Sequence, residues 1–195
     1  MANVLIQAKS SADRKDVVEV LADPHSGAII TAEIEHAQIH AGNGYSLSGK
    51  VATLANTATM QILARTGAIP VHWRAATMTV SDGDCDIYFY ESPTITADGS
   101  LETSFNKNRL STNTSTLDIY STPTISANGT ELEYGYIPDA SGGGGGGGGR
   151  SSGGEAQRVG GEWILAPNTE YLVTVTNNSG GAISLGYTFF WYELG

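Results

Sequence analysis

The sequence predicts an all-β protein: a two-sheet antiparallel sandwich, jelly-roll-like, with an extended N-terminal arm. Three observations predict it. Ser and Thr together number 38 of the 195 residues and Gly a further 25, while 15% are charged. No window therefore collects the Leu, Glu, Lys and Arg of a long amphipathic helix. Ile183, Leu185, Tyr187, Phe189 and Trp191 form an unbroken period of two, which puts large apolar side chains on one face of a strand. Its other face carries Phe190 and Tyr192, so both sides are expected to be covered. Shorter runs are punctuated by Asp23-Pro24, Gly42-Asn43-Gly44, Asp82-Gly83, Asp98-Gly99, Asn128-Gly129 and Asn178-Ser179-Gly180, sequences suited to turns of positive φ.

In chain order, residues 1–15 come first as an arm or first strand. Val4, Leu5 and Ile6 between polar residues fit a docking arm that adds a strand to a partner sheet, and equally the sandwich's own first strand. The apolar patch precedes Lys9, Asp13, Arg14, Lys15 and Asp16, the wrong order for a secretory leader. Residues 16–195 are expected to form a single β-sandwich domain. Its strands are expected at Asp16–Leu21, Ile29–Ile39, Thr59–Arg65, Val71–Val80, Asp86–Tyr90, Thr116–Tyr120, Glu162–Leu165, Tyr171–Asn177 and the closing run from Ile183. A short helix is expected over Val51–Asn56. Ser104 to Ser115, rich in Asn, Ser and Thr, reads as a polar loop.

Glu91-Ser92-Pro93-Thr94-Ile95-Thr96-Ala97-Asp98-Gly99 recurs thirty positions on as Ser121-Thr122-Pro123-Thr124-Ile125-Ser126-Ala127-Asn128-Gly129. Proline lacks a ladder donor, so both copies are expected to run along a sheet edge or cross between sheets before their Asp-Gly or Asn-Gly turn. Two copies are too few for a solenoid. Residues 141–154 form a Gly-rich loop, with eight consecutive glycines at Gly142 to Gly149. Such a tract has no preferred path of its own. The expectation is that neighbouring chains hold it, which makes Gly145 and Arg150 candidate partner contacts beside Val4, Leu5 and Ile6.

Charge and motifs exclude several functions. Ten basic against twenty acidic side chains give a net charge of −10, and no window is basic enough to collect phosphates, so no nucleic acid is expected as a partner. No run approaches the roughly 18 apolar residues of a membrane-spanning helix, and no membrane partner is expected. The lone Cys85 leaves no intrachain disulfide and no zinc spacing, and its aspartate neighbours disfavour a thiolate. Gly144 to Ser151 meets the glycine pattern of a phosphate loop only because polyglycine meets any; Arg150 stands where the lysine belongs. His36 and His40 would face one way on a strand, but first-shell metal sites need three or four convergent ligands. Asp82, Asp84 and Asp86 resemble the start of a calcium loop, yet a glycine is misplaced and Pro93 occupies the position of the closing glutamate. Gly44 to Gly49 misses a nucleophile elbow by one residue. With no catalytic constellation the chain is expected not to be an enzyme, and no cofactor or metal is expected. Tyr45, Trp73, Tyr134 and Tyr136 could stack sugars, or sit in the core or at an edge.

Several segments resemble, in order, a family of small virion structural proteins of tailed bacteriophages. They are Thr31 to Gly42, Tyr88 to Thr94, Asn106-Lys107-Asn108-Arg109 with Ser111 to Thr116, and Pro123-Thr124-Ile125 with Gly129-Thr130. Gly153-Gly154-Glu155, Glu162-Trp163-Ile164-Leu165 and Phe190-Trp191-Tyr192-Glu193 follow. The resemblance runs over about residues 16 to 193 and implies a capsid decoration or cement protein on the outside of the phage head. It implies trimers that bind the major capsid protein or another virion structural protein, and it carries over no catalytic residue. The long glycine tract departs from the family pattern. The alternative reading is a tail or head-fibre adhesin, a carbohydrate-binding β module; a third is an enzyme acting on cell-wall glycans.

Overall fold

The computed structural model describes residues 34–81, 83–138, 157–159 and 162–194. The chain divides into two units, Met1–Ala37 and Gln38–Gly195. The expected strand at Asp16–Leu21 and the Gly-rich loop at 141–154 lie outside the described residues.

The first described element corrects the sequence reading. Ile34–Ala41 is an α-helix, α1, where a strand over Ile29–Ile39 was expected. Ala, Glu and Gln favour a helix here, and the chain supplies its stop signal. Gly42 adopts φ +80°, its N–H donates to Ile39 O at 3.0 Å, and Asn43 N–H donates to Gln38 O at 2.9 Å. This bond pair is the glycine-terminated cap that satisfies a helix's last carbonyls.

The chain then runs through β1 (Gly44–Leu54), β2 (Thr59–Arg65), β3 (Val71–Val80), β4 (Cys85–Glu91), β5 (Thr94–Ala97), β6 (Ser100–Leu101) and β7 (Phe105–Asn106). After a loop come β8 (Asp118–Ser121), β9 (Thr124–Ala127), β10 (Thr130–Ile137), β11 (Gln157–Val159), β12 (Trp163–Leu165), β13 (Glu170–Asn177) and β14 (Ile183–Glu193). The expected helix at Val51–Asn56 is instead the end of β1 and a turn. A register shift against β14 between Val51 and Leu54 explains the misreading. That bulge lets two apolar residues three apart both approach the core, a spacing that mimics a helix turn.

All ladders are antiparallel. The first sheet has the order β11-β3-β14-β1-β7, with β12 also on β3; the second has the order β10-β4-β13-β2-β8-β6. β1, β2, β3 and β4 alternate between the sheets, β10 and β13 both join β4 in the second, and β1 pairs with β14 from Gly44↔Tyr192 to Leu54↔Ile183. The inner faces make one core. Trp73 on β3 lies 5.0 Å from Phe189 and 6.1 Å from Trp191 within its sheet, and 6.4 Å from Phe89 of the opposing sheet, ring centre to ring centre. Leu47, Val71, Met78, Leu185, Ile62, Ile87, Val173 and Val175 surround this cluster and are buried. The closing strand is covered on its second side only toward its end, where Tyr192 is buried and Lys107 Nζ sits 3.9 Å above the Phe190 ring; Thr188 on the same face is exposed.

The repeat does neither of the things expected of it. Its copies, β5 and β9, leave the second sheet and pair with each other as a separate two-stranded ribbon. Ser92 and Thr122, at equivalent positions, take φ +56° and +52°, each lifting the chain out of its strand before the proline. After the turns, β6 pairs with β8 and β10 with β4, so each copy returns beside the strand from which the other left. The side-chain bonds are reciprocal too: Thr96 Oγ1 donates to Thr124 O, and Ser126 Oγ to Thr94 O. Gly99 and Gly129, both at φ +88°, each press against the other copy; a Cβ would lie 2.1 Å from Ser121 O and 2.2 Å from Glu91 O respectively. The ribbon is thus a strap with local two-fold pseudosymmetry. It joins the ends of β4 and β8, and β13 and β2 lie between those strands. Leu172 and Leu63 on the two enclosed strands alternate with core-facing residues, so they point away from the first sheet, yet both are fully buried.

Candidate interaction surfaces

Val4, Leu5, Ile6, Gly145 and Arg150, the candidate partner contacts, lie outside the described residues, as does Asp82. His36 and His40 stand one helical turn apart on α1 instead of along a strand. Among the described residues no three His, Cys, Asp or Glu side chains converge as a metal site would require. The aromatic residues divide. Tyr45 and Trp73 are core residues, 3% exposed each, whereas Tyr134 and Tyr136 on β10 are 52% and 40% exposed.

Cys85 is fully buried at the start of β4. Burial first, then the charges of Asp84 and Asp86, push its thiol up to about 11, so the neutral form holds at ordinary pH. Asp84 and Asp86 are engaged elsewhere. The Tyr136 hydroxyl donates to Asp84 Oδ2 at 3.1 Å and the Tyr134 hydroxyl to Asp86 Oδ1 at 2.8 Å, while Asn178 Nδ2 donates to Asp86 Oδ2 at 2.6 Å. Asp86 in turn raises the Tyr134 phenol to about 12 by accepting its proton in a hydrogen bond.

Two carboxylates act as anchors that sequence reading did not single out. Glu193, 4% exposed at the end of β14, accepts from Ser115 Oγ at 2.6 Å, from Thr116 N–H at 3.0 Å and from Thr116 Oγ1 at 2.9 Å. Leu117 N–H and Trp191 Nε1 complete the set at 3.2 and 3.3 Å. The bonds replace the water lost on burying a carboxylate and fix the end of the polar loop that leads into β8. The other end of that loop is held by Asn106 Nδ2 on Gly42 O at 2.7 Å and Asn108 Nδ2 on His40 O at 3.0 Å.

Glu162, just before β12, faces β3 and β14. Its Oε1 contacts His72 Nδ1 at 2.8 Å and accepts from the Tyr192 hydroxyl, and its Oε2 accepts from Arg74 Nη1 at 2.8 Å. The His72 and Tyr192 rings stack at 4.6 Å. The Tyr192 hydroxyl foremost, then His72 and Arg74, hold the Glu162 carboxyl below its usual range against the opposing effect of burial. A short edge segment is tied by this group to the two strands beside it.

Among the described residues, one side of the sandwich is left uncovered by strands. β7 covers β1 only at Tyr45 and Ser46, and β8 covers β2 only from Ile62 to Arg65. Among the described residues, no strand pairs with the outer edge of β1 from Leu47 to Leu54. Between the two uncovered stretches lies a cleft of about 370 Å³ lined by Val51, Leu54, Met60, Pro123 and Tyr187. An open edge of this kind accepts an added strand; Lys50 and the bulge after Val51 guard it against indiscriminate pairing.

These features define a β-sandwich with polar anchors, a strap and, among the described residues, an uncovered edge of β1. Compared with family models, with curated proteins and with solved structures, the chain matches none.

Proposed function

We propose that the chain is a structural protein of a tailed-bacteriophage virion: a decoration or cement protein on the outer surface of the head that stabilises the shell by many non-covalent contacts, as trimers bound to the major capsid protein. The observation that carries this reading is where the residues of the resemblance fall. Tyr88 to Thr94 run from the end of β4 into the strap, Pro123 to Ile125 and Gly129-Thr130 lie in it and at its second turn, and Ser115, Thr116 and Trp191 meet at the buried Glu193 anchor. The described residues of the resemblance named here serve the strap and the anchor, which suits a protein whose work is mechanical.

The topology supports the same reading. We read the strand order, with the sheets interlocked and β1 beside β14, as a jelly roll, an architecture used by viral capsid and lectin domains. A fold alone does not carry a function. Repeated weak contacts on a symmetric shell add through multivalency, so each copy needs only a modest interface. An acidic protein also stays soluble before assembly.

The test is to strip the protein from virions that carry it, then heat the particles or dilute them into low salt. Release of DNA at a lower temperature from stripped heads, restored by adding the purified protein back, is the expected result. Heads that release DNA identically with and without it overturn the cementing role, and immunogold label confined to the tail overturns the location.

A further inference from the structure

The outer face of the second sheet carries a tyrosine cluster at its β10 edge, and Tyr134 and Tyr136 within it have no part in the strap or the Glu193 anchor. Tyr88 and Tyr90 on β4 stack with ring centres 5.7 Å apart and planes 19° apart; Tyr134 on β10 meets Tyr88 at 5.1 Å with a 49° tilt. Tyr134 and Tyr136 nonetheless keep about half their surface in water. Their hydroxyls are tied to Asp86 and Asp84, and Asn178 ties the second oxygen of Asp86. Tyr90 bonds through its hydroxyl to Asn128, so the strap's second turn borders the cluster.

We infer that this face is a binding site for a neutral saccharide. The rings are large, exposed and already fixed by hydrogen bonds at their far ends, so a ligand that lands on them orders little that was free. What fits is a molecule with an apolar C–H face for a ring and hydroxyl donors around its rim for carboxylate and amide oxygens, which describes a pyranose. Among the described residues, Asp86 and Asp84 accept from the Tyr134 and Tyr136 hydroxyls and Glu131 acts on Tyr90, and these three are acids. Their field repels phosphate, sulfate and uronate groups and leaves uncharged sugars as the matching class. The inference stands on this geometry and does not require the virion reading.

The experiment titrates the purified full-length chain with maltohexaose, cellohexaose, mannohexaose and N-acetylchitohexaose, read by saturation-transfer NMR and intrinsic fluorescence. At least one is expected to bind, and Tyr134→Ala is expected to weaken it by roughly tenfold, the value of one aromatic contact. Asp86→Asn should weaken it too, while Leu110→Ser, at a 95% exposed position in the polar loop, should not. Tyr134 is half exposed, so its variant should stay folded and unfold cooperatively in urea; Tyr136→Phe, which removes only a hydroxyl, provides a second variant if it does not. Binding of none of the four sugars, or binding indifferent to both tyrosine variants, overturns the inference. So does loss of capsid-protein binding in Tyr134→Ala without any sugar binding, which would make the face a protein contact.

Discussion

Replacing Glu193 by Ala should cost far more than its position near the end of the sequence suggests. The carboxylate is 4% exposed, and its charge is balanced by donors alone among its hydrogen-bond partners. Two of those donors have a second acceptor: Leu117 N–H and Trp191 Nε1 both reach Ser115 Oγ, at 3.0 and 3.1 Å. Among the described residues Thr116 N–H bonds only to Glu193, at 3.0 Å to each oxygen. The Ala variant therefore strands one backbone donor, leaves two more with Ser115 Oγ alone of their two acceptors and opens a space beside Trp191. At about 1 to 3 kcal/mol for a stranded buried donor, plus smaller losses at the others, the total is about 3 kcal/mol. For a chain of this size that lowers the Tm by roughly 6 to 12 °C. Gln keeps the volume and one acceptor but turns an amide N–H₂ toward donors, and should cost about half as much. Urea unfolding followed by tryptophan fluorescence reads both, with an unchanged m-value as the sign that only stability moved. The loop before β8 should also become sensitive to protease in the native state. Both variants within about 0.5 kcal/mol of wild type would refute the anchor.

Gly129→Ala should destabilise by about 2 to 4 kcal/mol, combining the left-handed φ with a Cβ 2.2 Å from Glu91 O, whereas Gly180→Ala, at φ +81° in open space, should cost only about 1 kcal/mol. Equal urea midpoints for the two would show that the strap's close approach carries no energy. Glu162 is held below the usual carboxylate range, so its contribution is complete above about pH 4.5 and is lost as pH falls through the lower folded value. Wild-type stability should thus fall more steeply than that of Glu162→Gln between about pH 5 and pH 3, and parallel urea midpoints across that range would refute the coupling. Cys85, buried with its thiol raised to about 11, should resist a thiol reagent at neutral pH until urea unfolds the chain. Labelling of the native protein at the unfolded rate would contradict its placement.

Where side chains alternated cleanly, the sequence could be read to within a residue or two. The expected strands at Thr59–Arg65, Val71–Val80, Asp86–Tyr90 and Tyr171–Asn177 correspond to β2, β3, β4 and β13, and the run from Ile183 to β14. Bulges defeated the period elsewhere. β1 was missed because Ser, Gly and Lys dilute it and its register slips after Val51; β10 was missed because the slip between Glu131 and Glu133 breaks alternation before Tyr134. The duplicated segment was visible, but its two halves pair with each other only once folding brings them together, and no local rule encodes that. Glu193 and Glu162 gave no signal at all. A carboxylate becomes an anchor through donors as many as 78 residues away in the chain, as Ser115 is from Glu193. Tyr134 and Tyr136 were noted as aromatic, and only the pairing of β10 with β4 shows that Asp84 and Asp86 hold their hydroxyls.

The pairing of β1 with β14 has a consequence for how the molecule is made. Ser48 and Thr188, 140 positions apart in the sequence, bond across that ladder. The first sheet therefore stays unzipped on the ribosome until almost all of this sequence has been synthesised, with the apolar side of β1 waiting in water for its neighbour. Such distant closure is slow and leaves sticky intermediates behind. Premature termination a few codons before Trp191 would yield aggregate in place of a smaller soluble protein, and a host with depleted chaperones should show the same phenotype for the intact gene.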